Sequence, residues 1–325
     1  MKLHLTNNAG TWDVTMLVPA VTWSGDYQDA ARRLDFSLLA PLPDEHIPAV
    51  ECPLGSAVQL YEGDTLLFDG FVFSRTKNTE QSQISLTCFD RGIYLKRNRV
   101  SKKYSGKTPE AIVRELAAEF GMEAGAVAET GVPVSRNFFG AALYDIILTA
   151  YTLASRRTGA TYNLRFRGAK LCVSASEPDS ETLLLQGKCN LINATTTESV
   201  QNMVNAVGIY DTNDKLVRIE ENAEYIKLYG RMQEYRKQTR DDNMRSAARK
   251  LLAEKGVEQK ITVNSLGDAR NTAGGFVAVE EPYTGLTGLF FFESDTHEWK
   301  RGQYYNKLTL SFKRMMDEKE AGSDA

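Results

Sequence analysis

Histidine and acidic side chains are the groups in this chain that could transfer a proton or bind a metal. Only three histidines occur, His4, His46 and His297, and none has a second ligand at metal-binding spacing. His297 stands four residues after Glu293, which is half of a possible acid–base pair. Because no nucleophile motif accompanies this pair, we interpret His297 as a hairpin-turn residue that is hydrogen-bonded to the backbone.

Sequence motifs for acyl, phosphoryl or glycosyl chemistry are missing as well. The chain has no Gly-x-Ser-x-Gly and no Gly-x-x-x-x-Gly-Lys-Ser/Thr. The adjacent acids Glu220-Glu221 and Glu280-Glu281 would point to opposite faces of a strand, which suits solvent better than a shared proton. A glycosidase needs two carboxyl groups roughly 5 to 10 Å apart across a cleft, and the sequence leaves that arrangement open.

The four cysteines point to structural thiols. They are Cys52, Cys88, Cys172 and Cys189. None forms a C-x-x-C pair, so neither a zinc ribbon nor a redox motif is indicated. We expect buried, reduced thiols, no metal, no cofactor and no enzymatic activity.

Composition and charge exclude two classes of partner. The chain has 325 residues, a formal net charge of −3, 42% hydrophobic and 25% charged residues, values that suit two or three globular domains. Sequence-specific binding of nucleic acid is not expected without clustered Lys and Arg. No apolar stretch approaches the roughly 20 residues of a membrane span. The start, MKLHLTNNAGTWDV, lacks the apolar segment of a signal peptide, so we expect assembly in the bacterial cytoplasm.

A β-rich pattern occurs near both ends of the chain. The first copy starts at Gly55, continues through Gly70 and closes with alternating apolar residues around Leu86. The second starts at Gly274, continues through Gly288 and closes around Leu310. Each copy predicts three strands joined by turns, because side chains two residues apart share one face of a strand. We expect a structural duplication, with Gly70 and Gly288 in corresponding places.

The segments around the repeat predict an α+β, mainly β fold with two small barrels flanking an α+β insert. The predicted domains are residues 1–100 (first barrel), 101–189 (insert), 190–316 (second barrel) and a disordered tail, 317–325. Helical spacing predicts helices at about 109–120, 141–156 and 241–255, the first beginning with Thr108-Pro109. A hairpin is predicted around Gly168.

Several short motifs follow one another in a set order over nearly the whole chain. The first is Val21-Thr22-Trp23-Ser24-Gly25-Asp26-Tyr27, which is followed by Arg32 and neighbouring residues. The next is Tyr229-Gly230-Arg231-Met232-Gln233-Glu234. Further motifs are Ser265-Leu266-Gly267-Asp268, Gly285-Leu286-Thr287-Gly288, Asp295-Thr296-His297 and Gly302. None of these motifs is specific alone, but in their order and spacing together the chain resembles the XkdQ/YqbQ-like tail proteins of PBSX-type phages.

The resemblance implies a baseplate hub protein of a contractile tail, or of a tail-like bacteriocin. Such a hub would be a homotrimer whose two tail-tube-like barrels per chain make a ring of six similar units. The implied partners are a tail tube protein, a central spike protein, a tape measure protein, and baseplate wedge or LysM-containing tail proteins. The implied location is the virion or the tail-like particle.

A cell-wall-binding or peptidoglycan-degrading role is the alternative hypothesis. The segment from Tyr104 to Gly121 faintly resembles the first half of a LysM repeat. Ordinary helix start signals explain the segment better, because a second helix and a closing strand at LysM spacing are missing.

Overall fold

The computed structural model describes residues 1–39, 50–78, 82–178, 182–238 and 244–324. His46 and the predicted helix-capping residues 241 and 242 lie outside these ranges. The fold is mainly β with few helices, as expected. No helix in the described ranges is long and apolar enough to cross a membrane. The chain divides into two compact units, Met1–Ala194 with Thr262–Ala325, and Thr195–Ile261.

In the described ranges, seven strands and one short 3-10 helix (Thr15–Leu17) precede the first α-helix. The strands are β1 (Lys2–Asn7), β2 (Gly10–Asp13), β3 (Ala20–Asp26), β4 (Arg33–Leu39), β5 (Ala57–Glu62), β6 (Thr65–Asn78) and β7 (Gln83–Asp90). The last three pair antiparallel in chain order and form the first meander. Alternate residues of β4, including Leu34, Phe36 and Leu38, are buried, as period-two spacing predicts.

The middle of the chain alternates helices with strands and belongs to the first compact unit. Its elements are α1 (Gly92–Arg97), β8 (Arg99–Lys107), α2 (Pro109–Glu119), β9 (Glu123–Val127), β10 (Val134–Ala142), α3 (Leu143–Thr158), β11 (Tyr162–Arg167) and β12 (Lys170–Ala175). The predicted helices and the hairpin β11–β12 are confirmed. Thr108 occupies the N-cap position of α2, although its side chain makes no capping hydrogen bond. Gly159 ends α3 in the left-handed region, with φ of 76°.

The following stretch of the chain contains the second unit, Thr195–Ile261. The elements of this stretch are β13 (Leu183–Gln186), which precedes the second unit, β14 (Leu191–Ser199), β15 (Ala206–Tyr210), β16 (Leu216–Glu221), α4 (Ala223–Tyr229), β17 (Gln233–Lys237), α5 (Met244–Glu254) and β18 (Glu258–Leu266). Strands β16, β15 and β17 form a small sheet. Val207, Ile209 and Ala248 form a small core with neighbouring residues. The short helix α4 was not expected from the sequence.

The chain ends with the second meander and a short strand. These elements are β19 (Phe276–Glu281), β20 (Leu286–Lys300), β21 (Gln303–Ser311) and β22 (Ser323–Asp324). The tail was predicted to be disordered, but β22 pairs with β10. Asp317 is buried, and its Oδ2 accepts a hydrogen bond from the Tyr144 hydroxyl at 2.7 Å. Composition alone missed these contacts, because both partners lie far away in the sequence.

One large sheet contains both meanders. Its strand order is β2-β1-β5-β6-β7-β4-β3-β20-β21-β18-β14, and β19 pairs with both β20 and β13. The first meander continues through β4 to β3, and β3 then pairs antiparallel with β20 of the second. The two meanders are therefore joined strand to strand within one chain.

The meanders repeat the same backbone hydrogen bonds where they begin. Gly55 N donates to Val72 O at 2.9 Å, and Gly274 N donates to Phe292 O at 2.9 Å. Val72 N and Phe292 N each donate back across the same junction, at 2.9 and 3.0 Å. The two glycines have φ of 83° and 82°. Because φ in this region favours glycine, both copies need it at this place.

The register of the long strands corrects one predicted correspondence. Val58 faces Gly70, but Val277, which corresponds to Val58, faces Phe290. Gly70 therefore corresponds to Phe290, two residues beyond Gly288. A register irregularity then falls at matching places, between Val72 and Ser74 in β6 and between Phe292 and Ser294 in β20.

The glycines at positions 70 and 288 are needed for different reasons. A Cβ at Gly70 would lie 2.3 Å from Phe89 O and 2.5 Å from the Phe68 ring. A Cβ at Gly288 would meet nothing within 4 Å, but its φ is 132°. Gly70 therefore leaves room for neighbouring atoms, whereas Gly288 is required by its backbone conformation.

Candidate functional site: the joint between the meanders

The pairing of β3 with β20 surrounds a buried ion pair. The Arg32 guanidinium binds the Asp295 carboxylate through both terminal nitrogens, with an Nη1–Oδ1 distance of 3.0 Å. The Asp295 side chain is fully buried, and its Oδ1 also accepts from Ala273 N at 2.6 Å. A buried carboxylate with both a bidentate arginine and a backbone donor is a satisfied charge, so it fixes the position of Arg32 against β20.

His297 extends this network along β20. Its Nε2 lies 3.0 Å from Asn271 O and 3.1 Å from Asp295 Oδ2, and both of these atoms are acceptors. Its Nδ1 lies 2.7 Å from Asn306 Nδ2 and 2.7 Å from the Tyr304 hydroxyl. These partners place the ring hydrogen on Nε2, since an amide nitrogen can only donate. We call Arg32, Asp295, His297, Asn271, Asn306 and Tyr304 the joint.

The position of His297 differs from the sequence expectation. It was interpreted as a turn residue, but it lies within β20, pairs with Trp23 across the strands and is fully buried. The turn of this hairpin is formed by Arg301 and Gly302, with φ of 52° and 73°. The segment Ser294-Asp295-Thr296 contains turn-forming residue types, and pairing with β3 and β21 overrides that local tendency.

Aromatic rings and glycines complete the joint. The Arg32 guanidinium carbon lies 3.9 Å from the centre of a Trp23 ring, within cation–π range. A Cβ at Gly25 would lie 2.3 Å from Arg32 Nη1. A Cβ at Gly267 would lie 2.1 Å from the Tyr304 ring. These glycines therefore leave the space that the Arg32 and Tyr304 side chains occupy.

Charge in the joint is held as an ion pair. Burial alone would raise the pKa of Asp295, but the Arg32 charge and the His297 hydrogen bond outweigh burial and hold it at about 2. Asp268, which donates through its backbone N to Asn306 Oδ1 at 2.7 Å, has a pKa lowered by its hydrogen bond to Arg270. At Asp26 burial is the main cause of a raised pKa.

The buried acid and imidazole of the joint are closed off from the cleft beside them. A cleft of about 700 Å³ opens nearby, and Trp23, Asp26, Arg32 and Asn271 are among its lining residues. Asp295 and His297 are not among them, and both are sealed from solvent. Within the described ranges, no group of three or more His, Cys, Asp or Glu side chains is placed to hold a metal ion.

The sequence motifs divide between the joint and other places. The structure brings Trp23, Gly25, Asp26, Gly267, Asp268 and His297 together at the joint. Gly70 lies in the first meander, whereas Gly288 and Gly302 lie near the start and just beyond the end of β20.

Tyr229 and Gly230 lie in the second unit, at the end of α4. Gly230 has φ of 80°, and its carbonyl accepts from Asn205 Nδ2 at 2.6 Å. Asn205 Oδ1 accepts from Met232 N at 2.8 Å. The Tyr229-to-Glu234 motif is therefore a turn held by one buried amide.

Three joint residues were missed by the sequence reasoning: Asn271, Tyr304 and Asn306. Their polar side chains lie in or near strands, and nothing in their spacing separates them from exposed polar residues. A buried Asn or Tyr can be recognised only when its partners are known. The prediction of buried thiols is confirmed for Cys52, Cys88 and Cys172, but Cys189 is exposed.

Comparison with known proteins matches most of the chain. A family described as YQBQ-like matches residues 21–311. The uncharacterised protein YqbQ of Bacillus subtilis is 27% identical over 265 residues, covering 74% of this chain and 78% of YqbQ. The PBSX phage-like element protein XkdQ of the same organism is 23% identical over 320 residues, covering 93% and 95%.

The 43 kDa tail protein of prophage MuSo2 from Shewanella oneidensis has a similar structure. Its TM-score is 0.70, with 11% identity, 95% of this chain covered and 97% of that chain. At this identity, the match concerns the fold.

Proposed function

The chain belongs to the YQBQ-like family, and on that premise we propose that it is a structural protein of a phage tail or tail-like particle. More specifically, we propose the baseplate hub, which adapts a hexameric tail tube to a trimeric spike. The relative XkdQ is named as a protein of a phage-like element, and the similar Shewanella structure is a prophage tail protein. Both names support a place in the tail.

The observation that carries the hub proposal is the repeated meander joined through β3 and β20. Both copies begin at a glycine with the same φ and the same backbone bonds. Two similar units within one chain, joined edge to edge, are what a three-chain ring needs in order to present six similar positions. In this proposal each meander belongs to a tail-tube-like barrel.

The proposed partners follow from the two faces of such a ring. The tail tube protein would contact one face, and the central spike protein the other. The tape measure protein would pass through the lumen, and baseplate wedge or LysM-containing proteins would surround the ring. The assembled hub would lie in the virion or the tail-like particle, after assembly in the bacterial cytoplasm.

The joint supports a structural role over an enzymatic one. His297 and Asp295 form a histidine–carboxylate pair of the kind that can transfer a proton. Both side chains, however, are buried and hydrogen-bonded to neighbouring groups. A general base must reach the proton that it removes, and no substrate can reach this pair without opening the sheet. We therefore propose that lytic activity belongs to other proteins of the particle.

Native mass spectrometry of purified baseplates tests the hub proposal. We expect three copies of this chain for every six tail tube subunits in the adjoining tube ring. Six copies, or a two-fold dimer in the particle, would contradict the proposal. A pull-down on purified peptidoglycan tests the cell-wall alternative in parallel, and we expect the chain to stay in the supernatant.

A further inference from the structure

We propose that β14 of one copy pairs antiparallel with residues Ser74–Asn78 of β6 in a second copy of this chain. This inference rests on the proposed ring and names the two strand edges that form it. Its basis is the internal pairing of β3 with β20, which serves as a template for the pairing between copies.

The template is the second half of β20. Residues Ser294–Lys300 pair with β21 on one side and with β3 on the other. In this half Asp295, His297 and Trp299 are buried. Pairing on both sides thus satisfies the backbone groups of this half-strand.

Within the described ranges, the corresponding half of β6 pairs with one strand. Residues Ser74–Asn78 follow the same register irregularity as Ser294–Lys300 and pair with β7. No strand of the described ranges pairs with their other edge. Residues Ser74, Arg75, Thr76 and Lys77 are exposed. An open edge of this kind presents backbone donors and acceptors to another strand.

Strand β14 occupies the place in the second meander that β3 occupies in the first. From the long strand outward, the order is β6-β7-β4-β3 in one meander and β20-β21-β18-β14 in the other. Asn264 Nδ2 donates to Asn193 Oδ1 at 2.7 Å, and Gln259 Nε2 donates to Glu198 Oε1 at 2.7 Å, as expected for β18 antiparallel to β14. The other edge of β14 faces no strand within the described ranges.

The two edges are chemically complementary. The segment Thr195–Glu198 is exposed and consists of three threonines, which favour strands, and one glutamate. The edge of β6 carries Arg75 and Lys77, and β14 carries no basic residue. Opposite charges facing each other across a strand pair stabilise the pairing.

The internal template also fixes the register. Asp26, the last residue of β3, faces Ser294, and Ser294 corresponds to Ser74. Matching the last residue of β14 to Asp26 places Ser199 opposite Ser74. Glu198 then faces Arg75, and Thr197 faces Thr76.

This contact is heterologous, because each copy offers one β14 edge and one β6 edge. Such contacts either close into a ring or extend into a filament. Each copy already contains one strand pairing of the same kind, that of β3 with β20. Three copies therefore close a ring with six alternating strand pairings, three within chains and three between them.

Disulfide cross-linking tests the register in the full chain. In a Cys189→Ser background, the pair Thr197→Cys and Thr76→Cys should cross-link between copies under mild oxidation and yield a covalent trimer as the largest product. The matched control combines Asn193→Cys with Thr76→Cys, four residues out of register and about 13 Å apart along the strand. We expect at least about tenfold less trimer from the control, because such a separation cannot be bridged.

Charge reversal provides an independent readout that does not depend on cysteine chemistry. Glu198→Arg and Arg75→Glu should each reduce trimer formation, and the double variant should restore it. Circular dichroism of the variants separates an assembly defect from misfolding.

The outcomes separate this inference from the hub proposal. A trimer that shows no preference for the matched cysteine pair would overturn the β14–β6 pairing and leave the hub proposal standing. Cross-linking into an open ladder would overturn ring closure. Absence of any cross-link up to the solubility limit would also contradict the inference.

Discussion

The two meanders share a backbone and differ in what covers the second half of the long strand. In β20 this half is covered by β3 and contains the buried joint. In β6 the corresponding half is exposed along one edge, and Arg75 stands where β20 has Asp295. The second meander thus has a neighbouring strand on this side, whereas no strand of the described residues lies beside the corresponding half of the first meander.

The strongest test of this comparison substitutes the corresponding residues Asp295 and Arg75. Asp295→Ala leaves the Arg32 charge buried without its partner, so we expect a loss of about 3–5 kcal/mol in the free energy of unfolding. Arg75→Ala changes an exposed position and removes one hydrogen bond, from Arg75 Nη1 to Cys52 O at 3.3 Å, so we expect a loss of about 1 kcal/mol or less. Chemical denaturation of the isolated chain measures both. Similar losses would mean that the second halves of β20 and β6 lie in similar environments, which would contradict the comparison.

Asp90, the last residue of β7, provides a pH test in the first meander. Burial raises its pKa to about 7, although its Oδ1 accepts from Gly92 N at 2.9 Å. Because the folded pKa lies above the unfolded value of about 3.9, stability should fall as pH rises from about 4 to 7 and then level off.

Replacing Asp90 with Asn should remove this pH dependence. We expect Asp90→Asn to stabilise the chain by up to a few kcal/mol at pH 8 and to change little at pH 4. The Asp295 pKa of about 2 gives the opposite slope, with stability lost as pH falls from about 4 towards 2, so the two windows do not overlap. Urea denaturation across this pH range is the measurement, and a parallel pH profile for both proteins would contradict the assignment.

The glycines near the start and just beyond the end of β20 give a smaller effect. Gly288→Val should cost about 2–3 kcal/mol, because φ of 132° is very unfavourable for a β-branched residue. Gly302→Ala should cost about 1 kcal/mol, because φ of 73° lies in the left-handed region that alanine can enter. Thermal melts of the two variants compare them. Equal melting temperatures would contradict this order.

Much of the strand pattern could be predicted from the sequence, because glycines and alternating apolar residues report local backbone requirements. The predicted helices at 109–120 and 141–156 agree with α2 and α3 for the same reason. The predicted correspondence between the two long strands was wrong by two residues, since Gly70 corresponds to Phe290 and not to Gly288. Gly70 avoids a side-chain clash and Gly288 adopts a positive φ, and a sequence does not distinguish these two uses of glycine.

The joint could not be predicted, because its central contact spans 263 positions of sequence between Arg32 and Asp295. His297 was assigned to a turn from its polar neighbours, and only the pairing with β3 and β21 shows that it is buried. The ordered tail was missed in the same way, since β22 pairs with the distant β10. Contacts over such distances depend on tertiary structure and leave no local pattern.

Cryo-electron microscopy of the intact baseplate is the most direct test of the claim that the two meanders occupy equivalent places in one ring. We expect three chains, with the meanders of each chain related by a rotation of about 60° around the tail axis and β14 of each chain beside β6 of the next. Meanders at different distances from the axis, or a copy number other than three, would contradict the claim.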